Sequence, residues 1–258
     1  MKLSARCAIS AAAASLLVLA GCGGDDGASA GGKPRLTVSA ATSLTNAFEE
    51  YGQGFEPATA RFSFAGSDEL AAQIRQGVKP DLYAAANTKL PDLLFDEGLV
   101  EKPVRFAGNR LVIAVAAGRD DIKGISDLGT EGRKLATGAE SVPVGEYTLE
   151  VLSRLPPGES KAILANVRSE EPDVGGVVGK LTQGAADAGF LYITDVTAAG
   201  DDVRAIELPA DLQPSVEYGV AVVKGAKEPQ AAKEFIDGLL SGKGADALRN
   251  AGFESPPG

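Results

Sequence analysis

The chain contains no histidine and only two cysteines among its 258 residues. Histidine is the commonest general base and a frequent transition-metal ligand, so its absence excludes Ser-His-Asp and Cys-His catalysis. Cys7 lies just before an apolar N-terminal run and Cys22 lies just after it, which leaves the remaining chain without a disulfide or thiolate metal site. The remaining candidates for catalysis are carboxylate, Lys, Ser and Tyr side chains, and the sequence shows no arrangement that pairs a nucleophile with a base. We therefore expect no enzyme, no cofactor and no site for a free metal cation.

Basic residues are outnumbered, with 25 Lys and Arg against 35 Asp and Glu and a net charge of -10. This acidic balance argues against nucleic acid as a partner. It also repels anions at long range, so an anionic ligand would have to be held by local dipoles.

The N-terminus has the pattern of an export signal. Lys2 and Arg6 precede an apolar run over residues 8–20, and this run is shorter than the roughly 20 residues that span a bilayer. The run ends in the letters LAGC, which resemble a bacterial lipobox. We predict a signal peptide over residues 1–21 and a lipidated Cys22. The alternative is an ordinary signal peptide with an incidental cysteine.

Residues 22–33 continue with Gly, Ala, Ser and Asp and contain no large apolar side chain. Such a composition does not bury enough surface to become ordered, and a flexible tether is predicted. About 225 residues follow from Pro34, enough for one large domain or two lobes of roughly 100 residues each.

Apolar runs alternate with helical periodicity along this part of the chain. Strands are predicted at 35–39, 61–65, 81–86, 111–115, 134–137, 189–194 and 216–223, and helices at 43–55, 67–76, 90–97, 145–155, 176–183, 229–240 and 244–250. The alternation indicates βαβ units and mostly parallel sheets. Two such sets, joined by crossings near Asn109–Leu111 and Val216–Tyr218, predict two α/β lobes with a ligand cleft between them.

Three segments combine a strand end, small residues and a helix start: Ser39–Asn46, Phe64–Leu70 and Asp173–Val177. The first N–H groups of a helix lack intrahelical partners, and the helix dipole favours negative charge there. Several such ends meeting in one cleft would bind a tetrahedral anion without Lys or Arg.

Each feature also has a purely structural interpretation. Ser43 and Ser67 fit helix N-caps, and Gly175–Gly176 fits a tight turn. Tyr192 fits an ordinary strand aromatic with its hydroxyl at the surface, and Val144 carries no signal by itself. Residue patterns alone therefore indicate a two-lobed exported binding protein and leave its ligand open.

Several segments resemble bacterial molybdate-binding proteins, the substrate-binding components of molybdate ABC importers. They are LTVSAATSLTNAF (36–48), FSFAGSDELAAQIRQG (62–77), PDLYAAAN (80–87), VPVGEY (142–147), Asp173–Val174, AGFLYITD (188–195) and residues 231–253. The resemblance implies an α/β, two-lobed periplasmic-binding-protein fold of the second type that closes by hinge motion. Lobe 1 would comprise 34–109 plus 217–258, and lobe 2 would comprise 110–216.

The resemblance also implies the ligand site. Ser43 and Ser67 would each supply a hydroxyl and an N–H group, Val144 and Val174 backbone N–H groups, and Tyr192 its phenolic hydroxyl. Molybdate or tungstate would be the ligand and an ABC importer permease the partner. The expected protein is a monomer, anchored by lipid to the cell membrane and facing the periplasm or cell exterior.

Asp68 departs from the small polar residue that is frequent at its position in that family. A carboxylate pointing away from the cleft would merely complement the dipole of its helix. One pointing inward would favour a protonated anion such as hydrogen phosphate. Binding of sulfate, phosphate or a small organic acid in place of molybdate is therefore kept as an alternative. A partner-binding lipoprotein with a vestigial cleft is a further alternative.

Overall fold

The computed structural model describes residues 33–256. The predicted signal peptide, the lipidation site Cys22 and nearly all of the predicted tether lie outside these residues. Within the described part, no helix is both long and apolar enough to cross a membrane.

Two five-stranded sheets organise the described chain. The first has the order β2-β1-β3-β10-β4 and the second the order β7-β6-β8-β5-β9. The strands of the first sheet are β1 (Arg35–Ala41), β2 (Thr59–Ala65), β3 (Leu82–Ala85), β4 (Val104–Asn109) and β10 (Val216–Val222). Those of the second are β5 (Leu111–Ala116), β6 (Leu135–Gly138), β7 (Val167–Glu171), β8 (Ala188–Tyr192) and β9 (Val203–Glu207).

Both sheets share one pattern of strand direction. In each, three strands pair in parallel, the fourth runs antiparallel, and the fifth pairs antiparallel with the fourth. The antiparallel members are β10 and β5, and these strands adjoin the passages of the chain between sheets. The predicted two-lobed, mostly parallel α/β fold is confirmed.

Helices cover the sheets. They are α1 (Thr45–Gln53), α2 (Ser67–Arg75), α3 (Lys89–Asp96), α4 (Pro143–Ser153), α5 (Pro157–Leu164), α6 (Val174–Thr182), α7 (Ile193–Ala199), α8 (Pro229–Leu240) and α9 (Lys243–Asn250). All six residues of β5 are buried, as expected for a strand with both faces covered. In the first lobe Phe48 and Phe235 pack edge to face, with ring centroids 5.5 Å apart.

The chain passes from the first sheet to the second at Arg110, between β4 and β5. It returns between Glu207, at the end of β9, and Val216, at the start of β10. The chain is back in the first sheet where β10 begins. The lobe boundaries predicted at 109/110 and 216/217 stay a prediction.

Several elements differ from the sequence-based expectation. The strand predicted over 189–194 ends at Tyr192, and helix α7 begins at Ile193. Strands β7 and β9 were not predicted because both are edge strands whose half-exposed residues include several charges. The helix predicted from Ser43 is a 3₁₀ turn over Thr42–Leu44 before α1 begins.

Candidate functional site

A small cavity of about 20 Å³ lies between the two lobes. Its wall contains all five residues that the resemblance implied, namely Ser43, Ser67, Val144, Val174 and Tyr192. One ordered water needs roughly 10–15 Å³ of such space, so the cavity suits only a small ligand. The structure therefore brings together residues that lie up to 149 positions apart in the sequence.

Ser43 lies in the 3₁₀ turn between β1 and α1, and its hydroxyl does not cap a helix. Its Oγ lies 2.9 Å from the phenolic oxygen of Tyr218 on β10. The helix-cap interpretation of Ser43 is therefore wrong. The turn places the hydroxyl on the cavity wall, with a tyrosine behind it.

Ser67 is the first residue of α2 and is 2% exposed. Gly66 occupies the N-cap position, and no side chain caps this helix. Instead, Ser67 Oγ accepts a hydrogen bond from the Ala86 N–H at 3.1 Å. The cap interpretation is wrong here too, and the hydroxyl proton remains available to a ligand.

Val144 lies in the first turn of α4, directly after Pro143 at the helix start. First-turn N–H groups have no partner within the helix. Gly145 permits a close approach here, because a Cβ at this position would lie 1.9 Å from the Ala139 carbonyl oxygen. The start of α4 is thus held against the chain that follows β6.

Val174 begins α6, and Asp173 caps that helix by accepting from the Gly176 N–H at 3.0 Å. Gly175 and Gly176 belong to the first helical turn, so the tight-turn interpretation is wrong. The capping carboxylate satisfies one first-turn N–H group. Val174 itself lines the cavity, and as the first residue of α6 its N–H group has no partner within the helix.

Tyr192 ends β8, and its phenolic oxygen is buried without a hydrogen-bond partner. The residue is 1% exposed, so a surface position for the hydroxyl is wrong. Burial raises the pKa of Tyr192 well above its usual value, and the group stays a neutral donor. A buried unpaired hydroxyl is costly, and Tyr192 is one of the residues that line the cavity.

The cavity wall carries no Lys or Arg among the residues that form it. Its single carboxylate, Asp173, is fully engaged, because Oδ1 accepts from Gly176 and Oδ2 accepts from the Thr42 hydroxyl at 3.0 Å. A ligand in the cavity would therefore meet the N–H groups of helix starts and side-chain hydroxyls. Hydrogen-bond donors at helix starts suit an anion even where no basic side chain lines the wall.

Two further carboxylates lie close by. Asp68 is absent from the cavity wall, and its Oδ2 accepts from the Ser141 hydroxyl of the second lobe at 3.4 Å. Asp195 in α7 is buried, and this burial raises its pKa to about 7. Its Oδ2 accepts a hydrogen bond from the backbone N–H of Tyr192 at 3.1 Å.

Sequence reasoning missed Tyr218 and Asn109, which lie behind Ser43. Tyr218 appeared only as part of an apolar strand, and Asn109 only as the end of a lobe. No spacing in the sequence connects them with Ser43. Their proximity arises from the pairing of β10 with β4, which sets Val216 opposite Asn109.

Comparisons with known proteins agree with the fold. The model of the bacterial extracellular solute-binding protein family matches residues 36–254. The molybdate-binding protein ModA of Mycobacterium tuberculosis is 32% identical over 249 residues, covering 92% of this chain and 93% of that protein. YvgL of Bacillus subtilis, provisionally named an ABC transporter substrate-binding lipoprotein, is 31% identical over 255 residues, covering 94% and 95%.

Among solved structures, the periplasmic molybdate-binding protein of Azotobacter vinelandii aligns with a TM-score of 0.77 at 22% identity. The alignment covers 86% of this chain and all of that one, which shows a shared fold. The predicted resemblance is confirmed by the sequence matches: the chain belongs to the family of bacterial extracellular solute-binding proteins, with molybdate-binding proteins among its relatives.

Proposed function

We propose that this protein captures molybdate, and also tungstate, in the cleft between its lobes and delivers the anion to an ABC importer. The observation that carries the proposal is the buried Tyr192 hydroxyl. It has no hydrogen-bond partner and lies on the wall of a small cavity with Ser43 and Ser67. A bound oxyanion would satisfy this hydroxyl.

The chemistry of the wall supports an oxyanion. Ser67 already accepts a hydrogen bond through Oγ, and the starts of α4 and α6 present N–H groups. A tetrahedral anion has several acceptor oxygens and would use donors from every side. Charge-assisted hydrogen bonds of this kind are roughly twice as strong as neutral ones.

Molybdate is favoured over other oxyanions because related proteins of similar length carry that name. Tungstate has nearly the same size, shape and charge, so this ring of donors would not separate the two. Sulfate is smaller, and its hydrogen bonds to a ring set for the larger anion would be long. Buried hydrogen bonds left unmade are costly, so size gives the selectivity.

Ligand binding would stabilise the closed arrangement of the lobes. Two of the proposed ligand residues, Ser43 and Ser67, belong to the first lobe, and Val144, Val174 and Tyr192 belong to the second. An anion that bridges both sets binds the closed form better than an open one and shifts the population towards it. The importer permease would then recognise the closed form.

We place the protein outside the cytoplasm, anchored through a lipid on Cys22 and held away from the membrane by residues 23–33. The LAGC letters before the tether support this, as does the lipoprotein name of YvgL. The proposed protein is a monomeric carrier and has no catalytic residues.

Isothermal titration calorimetry tests the function on the compact unit from Lys33 to Gly258, freed of ligand. Molybdate, tungstate, sulfate and phosphate are titrated separately. One-to-one binding of molybdate and tungstate, with far weaker binding of the other two, is expected. Tight sulfate or phosphate binding would overturn the choice of ligand, and no binding of any of the four would overturn the oxyanion site.

A further inference from the structure

A chain of hydrogen bonds runs from the passage between the lobes to Ser43. The Asn109 side-chain nitrogen lies 2.9 Å from Thr194 Oγ1 and 3.3 Å from the phenolic oxygen of Tyr218. That oxygen in turn lies 2.9 Å from Ser43 Oγ. Asn109 ends β4 and Tyr218 lies in β10, so both elements adjoin the passages of the chain between lobes.

The direction of every hydrogen bond in this chain can be assigned. Asn109 Oδ1 accepts from the Arg110 N–H at 2.9 Å, which orients the amide and leaves its nitrogen facing Tyr218. An amide nitrogen only donates, so the Tyr218 oxygen accepts from Asn109. Asn109 offers the phenol no acceptor, so among the described residues Ser43 Oγ is the acceptor left within reach of the buried phenolic proton, and we assign the proton to that contact. Burial raises the pKa of Tyr218 well above its usual value, and the proton is retained.

We propose that Tyr218 and Asn109 are positioning residues that make Ser43 donate its hydroxyl proton into the cleft. This inference rests on the proposed oxyanion-binding function. Because Ser43 Oγ accepts from Tyr218, its own proton is directed elsewhere, and Ser43 lies on the cavity wall. Without Tyr218 the hydroxyl would rotate freely and accept or donate equally.

The same polarity occurs at Ser67, whose Oγ accepts from the Ala86 N–H. Each serine thus has one lone pair occupied and its own proton free to donate to the ligand. A fully ionised oxyanion accepts from both, whereas hydrogen phosphate carries a proton that needs an acceptor. The positioning of Ser43 therefore contributes to selection of the fully ionised anion.

Tyr218→Phe is a specific test because it removes the hydroxyl and keeps the ring. The Tyr218 ring packs edge to face on Phe253 with centroids 5.3 Å apart and on Phe106 at 6.2 Å. A phenylalanine would retain both contacts. Tyr51→Phe is the matched control, since Tyr51 is also buried in the first lobe but bonds the Phe235 carbonyl oxygen instead.

Molybdate affinity is measured by calorimetry for the wild type, Tyr218→Phe, Ser43→Ala, the double variant and Tyr51→Phe. Ser43→Ala should weaken binding about 10- to 100-fold, and Tyr218→Phe about three- to tenfold. If Tyr218 acts through Ser43, the double variant should bind within about twofold of Ser43→Ala alone. Tyr51→Phe should bind as the wild type does.

A structural role for the Tyr218 hydroxyl would weaken all anions alike. The positioning role predicts instead that Tyr218→Phe raises hydrogen phosphate affinity relative to that of molybdate or sulfate, because Ser43 regains the ability to accept. The positioning role would be overturned if the affinity losses of the two single variants multiplied in the double variant. It would also be overturned if the ratio of phosphate to molybdate affinity were unchanged in Tyr218→Phe. Ligand-free thermal unfolding confirms that each variant is folded.

The wild-type titration separates this proposal from the proposed function. If the wild type binds sulfate but not molybdate, the proposed ligand fails, and the variants test the positioning role with sulfate. If it binds phosphate alone, the selection of a fully ionised anion is overturned together with the proposed ligand. If the wild type binds none of the four anions, both proposals are overturned.

Discussion

Thr42 donates a hydrogen bond to Asp173 across the cleft, with Oγ1 and Oδ2 3.0 Å apart. Thr42 follows β1 in the first lobe, whereas Asp173 caps α6 in the second lobe. The bond joins the lobes beside the cavity, and both residues belong to its wall. Asp173 caps α6 through Oδ1 and accepts from Thr42 through Oδ2, so each of its carboxylate oxygens accepts one hydrogen bond.

Replacing Thr42 by Val keeps the side-chain shape and removes this bond. Molybdate affinity should fall about 10- to 100-fold, because a hydrogen bond to a charged group contributes about 1.5–3 kcal/mol and a carboxylate oxygen beside the anion loses its donor. Calorimetry measures the affinity. Thr182→Val, which alters a threonine at the exposed end of α6, should leave it unchanged. Unaltered binding by Thr42→Val would show that the bond does not stabilise the closed form.

Tyr192→Phe should have opposite effects on binding and on stability. It removes a donor to a charged ligand, so molybdate affinity should fall about 10- to 100-fold. It also removes a buried oxygen without a partner in the described structure, so the ligand-free protein should unfold at an equal or higher temperature. Calorimetry and ligand-free thermal unfolding measure the two effects. A wild-type affinity for the variant would exclude Tyr192 from the site.

Asp68→Asn should change binding little. Because Asp68 is absent from the cavity wall and contacts Ser141 instead, it should not affect the choice of anion. Asp68 is half-buried and its Oδ1 has no hydrogen-bond partner among the described residues, so removing its charge relieves a buried unpaired oxygen. Because the residue lies off the cavity wall, the molybdate affinity should still change by less than about fivefold, or roughly 1 kcal/mol. Titration with molybdate and phosphate measures the ratio between the two anions. A marked shift towards either would show that the carboxylate faces the ligand.

Asp195 should make stability depend on pH. Burial raises its folded-state pKa from 3.8 to about 7, so the folded protein retains this proton at pH values where the unfolded chain has released it. Its contribution to the free energy of unfolding should therefore fall as pH rises from about 4 to 7, and level off above 7. The slope approaches about 1.4 kcal/mol per pH unit where the two states differ by a full proton.

Urea unfolding at pH 5 and pH 7.5 measures this effect. Asp195→Asn retains an acceptor for the Tyr192 N–H and has no carboxyl to titrate. It should therefore become more stable relative to the wild type at the higher pH. An equal pH dependence in both proteins would show that Asp195 does not titrate in this range.

Some elements of each lobe could be predicted closely. The helix predicted over 229–240 has those bounds in the structure, and the strand predicted over 111–115 extends by one residue to Ala116. Both have strong apolar patterns of the expected period. Strands β7 and β9 have mixed polarity at sheet edges, so local pattern did not reveal them.

The sequence by itself determined the alternation of strands and helices, the lack of a histidine or thiol chemistry, and the small and hydroxyl residues at each helix start. Those properties are local, and periodicity and composition report them directly. Tertiary structure alone decided that Tyr192 would be buried without a partner, that Asp68 would lie off the cavity wall, and that Tyr218 would bond Ser43. These outcomes depend on strand pairing and lobe contacts between residues far apart in the chain, and residue spacing does not encode such distances.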